Sequence, residues 1–261
     1  MSNKKRYLVI GDIHGRSIWK DIIEKESPDK VIFLGDYVST HDNISSETQI
    51  ANLNDILDYK EANSSKVILL RGNHDTQHLG YYWAECSGWD PIIWHHMSES
   101  NFKERFLKLT QWIYVDENLK TIFSHAGVSA RWLRDVEEYI VRTRGSQYDD
   151  GTVDQEVLLG LINTIEPSEL FGFTPDSPCD YYGDSVTQPI TWIRPTSLCR
   201  CNISRWDQVV GHTPVTSDIV NLKKATKENR NIWLCDALGL SKYLLIENGT
   251  FIPSDYEGQN Q

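Results

Sequence analysis

Tyr7-Leu-Val-Ile-Gly-Asp-Ile-His-Gly15 is the first of three stretches in which a short apolar run ends in glycine and polar side chains. Val31-Ile-Phe-Leu-Gly-Asp36 is the second, and Val67-Ile-Leu-Leu-Arg-Gly-Asn-His-Asp75 is the third. Four-residue apolar runs that are rich in valine and isoleucine and bounded by glycine are typical of strands buried on both faces. The three stretches therefore predict three strands of a parallel sheet.

The segments between these strands have the periodicity of amphipathic helices. Residues 17–26 and 46–59 each place large apolar side chains on one face: Ile18, Trp19, Ile22 and Ile23 in the first, and Ile50, Leu53, Ile56 and Leu57 in the second. Alternating strands and helices form βαβ units with right-handed crossovers. Because ligands bind at the carboxyl ends of parallel strands, we expect the polar residues there to meet at one edge: Asp12, His14, Asp36, Asn73 and His74.

Two further histidines follow predicted strands later in the chain. Residues 121–124 lead into His125-Ala-Gly127, and residues 208–210 lead into Gly211-His-Thr-Pro214. The remaining expected elements are helices at 98–109, 131–139 and 154–165, an irregular connection at 167–190, and strands at 112–116, 219–222 and 232–235. Asn248-Gly249, between strand-like residues 243–247 and 250–253, predicts a hairpin. Since no linker or internal repeat interrupts the chain, we expect one domain, residues 1–261.

Composition and charge argue against several classes of protein. Lysine and arginine total 26 against 37 aspartate and glutamate residues, and the resulting net charge of −11 disfavours nucleic acid as a partner. The chain has no run of about 18 apolar residues, the length that a membrane span requires. Its basic first residues precede no apolar core of a signal peptide. Five cysteines without a disulfide or metal-binding spacing add to the expectation of a cytoplasmic protein.

The side chains at the five strand ends have the chemistry of a metal site. Glycine in each block permits the tight turn that brings short side chains to a shared centre. Two carboxylates, one amide and three imidazoles, without a thiolate, suit manganese, iron or zinc. The six expected ligands are Asp12, His14, Asp36, Asn73, His125 and His212. One such block alone is usually an ordinary strand-end turn, but five in succession indicate a functional site.

The five blocks, in this order, resemble the metallophosphoesterase (calcineurin-like) superfamily, and more narrowly its phosphoprotein phosphatase family. The resemblance extends from about Tyr7 to Pro214. It implies an α/β fold in which a two-sheet β-sandwich is flanked by helices, giving four αββα layers. It also implies two divalent metal ions as cofactors, with manganese expected first and iron, zinc or nickel as alternatives.

The same resemblance assigns roles to individual residues. The implied ligands are Asp12, His14 and Asp36 for the first cation and Asp36, Asn73, His125 and His212 for the second, with Asp36 as the bridge. His74 would be the general acid, and Arg194, within Trp192-Ile-Arg-Pro195, would bind phosphate. Arg71 is a second candidate for this catalytic, phosphate-binding role, and Asn73 would also contact the substrate.

A site with two cations explains hydrolysis without a covalent intermediate. The cations lower the pKa of a shared water toward neutrality, and the resulting hydroxide attacks phosphorus directly. An arginine neutralises the charge that develops on the phosphate oxygens. His74 would protonate the leaving alkoxide, a step that serine and threonine esters need because their alkoxides leave poorly.

The chain departs from the family pattern after Asp36. The family's Asp-Tyr-Val-Asp-Arg is here Asp36-Tyr-Val-Ser-Thr40. Ser39 therefore replaces the carboxylate that orients the catalytic histidine, and Thr40 replaces a phosphate-binding arginine. Support of His74 by Asp42, or a substrate contact by His41, are alternatives to the roles of ordinary surface-turn residues.

Other positions bear on the choice of substrate. Pro214 stands where phosphodiesterases and nucleases of the superfamily usually carry a second histidine. This favours the phosphatase branch, or its relatives that split diadenosine tetraphosphate. The aromatic segment 81–96 has two interpretations, a substrate-facing wall and simple packing.

Three functions remain open from the sequence. The first is hydrolysis of phosphate monoesters, with phosphoserine or phosphothreonine proteins, or small phosphate esters, as substrates. The second is a nucleotide hydrolase that acts on diadenosine tetraphosphate-like molecules or on polynucleotide phosphate ends. The third is an inactive metal-binding scaffold, which the presence of all six ligands and His74 disfavours.

Overall fold

Two five-stranded sheets form the centre of the computed structural model, which describes residues 5–81, 85–144, 154–170, 184–226 and 228–257. The first sheet contains β1 (Arg6–Ile10), β2 (Lys30–Phe33), β3 (Val67–Leu69), β9 (Lys242–Glu247) and β10 (Thr250–Asp255), in the order β10-β9-β1-β2-β3. The second contains β4 (Ile113–Asp116), β5 (Thr121–Ser124), β6 (Asp207–Pro214), β7 (Val220–Asn221) and β8 (Ile232–Asp236), in the order β4-β5-β6-β8-β7.

Each sheet combines three parallel strands with two antiparallel ones. The three strands predicted from the first 75 residues are parallel, with Val31 of β2 paired to Leu8 of β1 and to Val67 of β3. In the second sheet β5, β6 and β8 are parallel. β9, β10, β4 and β7 pair antiparallel with their neighbours. The carboxyl ends of the parallel strands carry the motif residues.

Helices pack on the sheets and in the connections between strands. The longer ones are α1 (Trp19–Glu26), α2 (Ser46–Ala62), α4 (Pro91–Ser98), α5 (Ser100–Leu109), α6 (Ala130–Arg144) and α7 (Gln155–Leu161). Shorter helices are α3 (Asn73–His78), α8 (Pro167–Leu170) and α9 (Pro195–Arg200). Among the described residues, every helix is too short or too polar to cross a lipid bilayer.

The alternating side chains of β1 show how the layers are built. Tyr7 and Val9 lie in one apolar cluster with Phe123 of the second sheet, so this cluster fills the space between the sheets. Leu8 and Ile10 point the other way, into a cluster with α1, α2, α4 and α5. A further cluster joins the outer face of the second sheet to α6 and α7. The predicted fold, a two-sheet sandwich flanked by helices, is confirmed.

Several predicted boundaries are wrong. The helix expected at 98–109 begins at Ser100, and a separate helix, α4, precedes it. Helix α4 starts at Pro91 because the Asp90 carboxylate accepts hydrogen bonds from the N–H groups of Ile92 and Ile93. The segment 154–165 is helical only to Leu161 and continues as a 3₁₀ turn at 162–164. The connection at 167–190 contains α8, and its residues 171–183 lie outside the described ranges.

The hairpin predicted at Asn248-Gly249 is confirmed. β9 and β10 pair antiparallel on either side of these two residues. Asn248 has a φ of 51° and Gly249 a φ of 81°. Two successive residues at positive φ suit a two-residue turn whose twist matches that of the flanking strands.

Candidate active site

The structure brings the six predicted metal ligands together. Asp12, His14 and Asp36 form one group, and Asp36, His125 and His212 form a second; within each group the ligand atoms lie within 4.8 Å of one another. Asn73 completes the second group, because its Oδ1 lies 2.8 Å from His125 Nε2 and 2.8 Å from His212 Nδ1. The shared residue, Asp36, therefore stands between two potential cation positions.

Each of the three predicted ligand histidines donates a hydrogen bond from one ring N–H to a backbone carbonyl. His14 Nδ1 donates to Val38 O at 3.0 Å, and His125 Nδ1 donates to Leu34 O at 2.8 Å. His212 Nε2 donates to Trp192 O at 3.1 Å. These bonds fix the ring orientation and leave the other nitrogen facing the shared centre, as histidine ligands of metals require.

Three of the ligands occupy the left-handed region of backbone conformation. The φ angles are 44° at His14, 50° at Asp36 and 60° at His212. This region is costly for side chains other than glycine, and such residues persist only where the surrounding structure holds them. The backbone oxygen of Asp36 joins the loop after β2 to the loop after β1, because it accepts hydrogen bonds from Ile13 N at 3.0 Å and His14 N at 2.7 Å.

Asp75 positions the bridging carboxylate from behind. Its oxygens accept hydrogen bonds from the backbone N–H groups of Asp36, Tyr37 and Gly72, each at 2.8 Å. Burial, together with the nearby charge of Asp36, raises the pKa of Asp75 to about 7. Asp75 was part of a motif block, but its capping role depends on contacts across the chain that the sequence alone did not reveal.

Two motif glycines are needed for space rather than for an unusual φ. A Cβ atom on Gly72 would lie 1.9 Å from Asp36 Oδ1, and one on Gly211 would lie 2.1 Å from Asp12 Oδ1. Both oxygens of Asp12 also accept the His212 N–H, each at 3.0 Å. The glycine of one block therefore makes room for the carboxylate of another. This steric need is a second reason for glycine at these positions, besides the tight turn that the sequence predicts.

The buried charges favour cations at this centre. Burial raises the pKa of Asp12 well above its usual value, and the charge of Asp236 raises it further. Burial lowers the pKa of His125, but Asp36 and Asp12 outweigh it and raise that pKa to about 10. Positive charge is thus stabilised between the carboxylates. Divalent cations would supply it, so the donor set and its electrostatics fit two metal ions.

Arg194 lines the cleft above the ligands. The cleft has a volume of about 310 Å³, and Trp192, Pro214 and His41 form part of its wall. Arg194 Nη1 donates to His212 O at 3.0 Å and to Thr213 Oγ1 at 3.2 Å. Burial lowers the pKa of this half-buried guanidinium. The side chain is therefore anchored at one nitrogen, next to the ligand groups.

Arg71 is not brought to the cleft, contrary to its predicted role as a second phosphate-binding arginine. Its Nε donates to Thr110 Oγ1 at 2.8 Å, and its Nη2 donates to the carbonyls of Leu107 and Thr110, each at 2.7 Å. The guanidinium also lies 4.7 Å from the ring centre of Trp112. The buried Arg71 side chain thus ties the end of β3 to the segment before β4.

His74 differs from the three ligand histidines. Its backbone N–H donates to Asp36 Oδ1 at 2.9 Å, and its Nε2 lies 3.9 Å from Asp36 Oδ2. Its buried Nδ1 has no hydrogen-bond partner among the described residues. Burial, with the neighbouring His14 as a smaller cause, lowers the pKa of His74 to about 4 against the opposing effect of Asp36. No backbone carbonyl fixes this ring as one fixes each of the ligand rings.

The residues that depart from the family pattern occupy distinct positions. Ser39 Oγ forms a 2.8 Å hydrogen bond with His78 Nε2 and makes none with His74. Asp42 pairs with Arg16 at 2.7 Å on the surface, so the suggested support of His74 by Asp42 is wrong. His41 does line the cleft, as the alternative for that residue required.

Asp236 was not predicted from the sequence, whereas Glu85, Cys86 and Ser87 belong to the segment 81–96, for which a substrate-facing wall was one of the two interpretations. Asp236 ends β8 and faces the cleft, and burial, with the charge of Asp36 as a further cause, raises its pKa. The sequence signal for Asp236 is an apolar strand that ends in aspartate, but this strand end lacks the glycine present in the other motif blocks. Glu85 and Cys86 lie on the opposite wall. Cys86 Sγ accepts a hydrogen bond from Asn73 Nδ2 at 3.1 Å, which turns Asn73 Oδ1 toward the histidines.

Comparison with known proteins agrees with this geometry. The family model for calcineurin-like phosphoesterases matches residues 5–232. A cold-active protein tyrosine phosphatase of known structure is 15% identical, with a TM-score of 0.53 over 96% of this chain and 79% of that protein. A protein serine/threonine phosphatase from Saccharomyces cerevisiae, with similarity to human phosphatase PP5, is 11% identical, with a TM-score of 0.56 over 100% and 82%. These likenesses show a shared fold. No curated protein matches the chain in sequence.

Proposed function

Because this chain belongs to the calcineurin-like phosphoesterase family, we propose that it hydrolyses phosphate monoesters with two divalent cations held in the cleft. One observation carries the proposal: two groups of ligand atoms share Asp36 and lie beside an anchored arginine, Arg194. Asp12, His14 and Asp36 would hold one cation, and Asp36, Asn73, His125 and His212 would hold the other. With nitrogen and oxygen donors and no thiolate, manganese is the metal we propose.

The chain's own residues would orient the phosphate. Bound at the two groups, the cations would supply a nucleophilic water at neutral pH and positive charge opposite the phosphate oxygens. Arg194 is held through Nη1, and no hydrogen bond to another described residue occupies its Nε or Nη2 groups, which would bind a phosphate oxygen. A fixed guanidinium binds such oxygens with two parallel hydrogen bonds and stabilises the charge that they gain during transfer.

We assign the proton of the leaving group to His74 Nε2. Because burial lowers the pKa of His74 to about 4, the ring is mostly neutral before substrate binds, and the negative charge of a bound phosphate would raise that pKa and favour the protonated acid. The His74 Nε2 atom lies 3.9 Å from Asp36 Oδ2, on the side of the ligand groups. Unlike the ligand rings, the His74 ring has no carbonyl that fixes its tautomer, and it lines the cleft. A proton given to the departing oxygen matters most for alkyl esters such as phosphoserine and phosphothreonine, which we propose as the natural substrate class.

Turnover of a panel of esters tests this proposal. We expect the protein, supplied in turn with manganese, zinc, iron and nickel, to hydrolyse para-nitrophenyl phosphate and a phosphoserine peptide. Bis(para-nitrophenyl) phosphate serves as the diester control and diadenosine tetraphosphate as the nucleotide control. Faster turnover of either control substrate would overturn the monoester assignment, and no turnover of any ester would favour an inactive scaffold.

A further inference from the structure

A second pocket of about 380 Å³ opens beside the cleft. It is lined by Gln77, Gly80, Glu85, Cys86, Trp89 and Trp94, and we call it the tryptophan pocket. Glu85 and Cys86 also line the cleft, so the two spaces share a wall. A substrate whose phosphate lies at the predicted metal ligands would reach this pocket by passing Glu85 and Cys86.

The two tryptophans present their rings to solvent. Trp89 is 52% exposed and Trp94 43% exposed, and their ring centres lie 6.4 Å apart at an interplanar angle of 44°. Large aromatic side chains exposed together beside a cleft mark a binding surface more often than isolated ones do. The pair forms an open angle that a flat or compact group can enter.

The pocket is built on fixed elements. Trp94 lies in the first turn of α4, whose start is held by Asp90, and Asp90 also accepts a 2.8 Å hydrogen bond from Ser46 Oγ of α2. On the other side, Gln77 Oε1 accepts the N–H of Cys86, and Gln77 Nε2 donates to Cys86 O at 3.4 Å. The backbone of Trp94 and the 85–86 segment are thus held in place before a ligand arrives, and Trp89 packs beside Trp94.

The charge of the pocket selects its occupant. Glu85 is the only charged side chain among the described residues that line it. In the adjoining cleft, the two proposed cations would neutralise the carboxylates of Asp12, Asp36 and Asp236, so the negative charge offered to an occupant comes from Glu85. Tryptophan is the best aromatic partner for a cation, and a carboxylate at the rim adds attraction for one.

We propose that the tryptophan pocket binds a lysine or arginine side chain of a phosphopeptide substrate, close in sequence to the phosphorylated residue. The inference rests on the proposed phosphatase function and names its substrate class. A neutral nucleobase could stack on the rings, but it would gain nothing from the negative charge of Glu85. Basic phosphopeptides satisfy both the tryptophans and the carboxylate.

Paired peptides test the proposal. Each pair differs only in an arginine or its neutral counterpart citrulline, placed in turn at the three positions on either side of phosphoserine. We expect the wild-type protein to prefer arginine by about tenfold in kcat/KM at one or two positions, mainly through KM. Trp94→Ala and Glu85→Gln should each bring this ratio close to one.

Matched variants control for general damage. Ile92 is 50% exposed on the same helix but does not line the pocket, and Glu99 is an exposed carboxylate at the far end of that helix. Ile92→Ala and Glu99→Gln should keep the arginine preference. An unchanged ratio in Trp94→Ala and Glu85→Gln, or no preference in the wild type, would overturn the inference. So would a Trp94-dependent preference for nucleoside monophosphates over basic peptides.

Binding separates this inference from the proposed function. Fluorescence anisotropy of the labelled peptide pairs measures affinity in the presence of manganese, whether or not turnover occurs. If no ester reacts, only the phosphatase proposal is rejected. The pocket would still be supported if the arginine peptide binds more tightly than its citrulline counterpart and loses this advantage in Trp94→Ala. Equal binding of both peptides would reject the pocket alone.

Discussion

The two sides of the cleft are built in different ways. On the strand-end side, the ligand histidines are fixed by backbone carbonyls, and the bridging Asp36 is held through backbone N–H groups by Asp75. On the other side, His41 and Glu85 of the cleft and Trp89 and Trp94 of the adjoining tryptophan pocket are exposed side chains on loops and in the first turn of α4. The comparison shows that main-chain contacts fix the predicted ligands, whereas the surroundings of the cleft depend on exposed side chains.

The largest loss of turnover is expected on the strand-end side, from a substitution of Asp36, the proposed bridge between the two cations. Asp36→Asn removes a charge that both ligand groups share, so turnover of para-nitrophenyl phosphate should fall by about a thousandfold or more. Metal content measured by mass spectrometry should fall with it. Asp42→Asn, a change of the same type at the exposed ion pair with Arg16, should keep both. Full activity in Asp36→Asn would contradict the assignment of the bridge.

A substitution at His74 tests whether this cleft histidine acts as the general acid and not as a metal ligand. His74→Ala should keep the metal content but lower the turnover of a phosphoserine peptide by about a hundredfold or more. The loss should be smaller for para-nitrophenyl phosphate, because its leaving group needs no proton. Equal losses for both esters, together with lost metal, would make His74 a ligand instead of an acid.

Gly72 tests the closeness of packing around the bridge. Gly72→Ala places a methyl group against Asp36 Oδ1 and should lower metal affinity by about tenfold to a hundredfold, like loss of other contacts that orient a ligand. The control is Gly160→Ala in α7, where an added Cβ meets no atom within 4 Å. Gly160→Ala should keep metal affinity and raise helix stability slightly. Unchanged metal titrations in Gly72→Ala would contradict the steric argument.

The smallest catalytic effect is expected at Arg71. Arg71→Gln should cost about 1–3 kcal/mol in the free energy of unfolding, because it breaks buried hydrogen bonds to Thr110 and Leu107. The KM for para-nitrophenyl phosphate should stay near the wild-type value. Arg194→Gln should do the reverse, with weaker catalysis and nearly unchanged thermal unfolding. A raised KM in Arg71→Gln would restore its predicted role in phosphate binding.

The strand-end side was largely predictable from the sequence. Apolar runs that end in glycine and a short polar side chain predicted both the parallel strands and the position of residues such as Asp12 and Asn73. This worked because the carboxyl ends of neighbouring parallel strands must meet, whatever the details of packing. The hairpin at Asn248-Gly249 was predictable for a similar local reason, since few residue pairs adopt two positive φ angles in succession.

The direction in which individual side chains point was less predictable than the position of the strand ends. The sequence places Arg71 beside the ligand Asn73, yet only tertiary packing decides that its guanidinium faces Thr110. Asp42 was close enough in sequence to serve His74, but it pairs with Arg16 instead. Helix α4 was missed because its apolar and aromatic residues have no clear period and its start depends on the Asp90 cap.

The ligands are divided between the two sheets. Asp12, His14, Asp36 and Asn73 follow strands of the first sheet, whereas His125 and His212 belong to the second. Neither sheet alone offers a complete pair of cation sites, so tight metal binding requires that both have docked. Bound metal would in turn stabilise the docked state by mass action. With the proposed activity, catalytic competence would therefore be an internal signal that folding is finished, and a half-assembled chain would be inert.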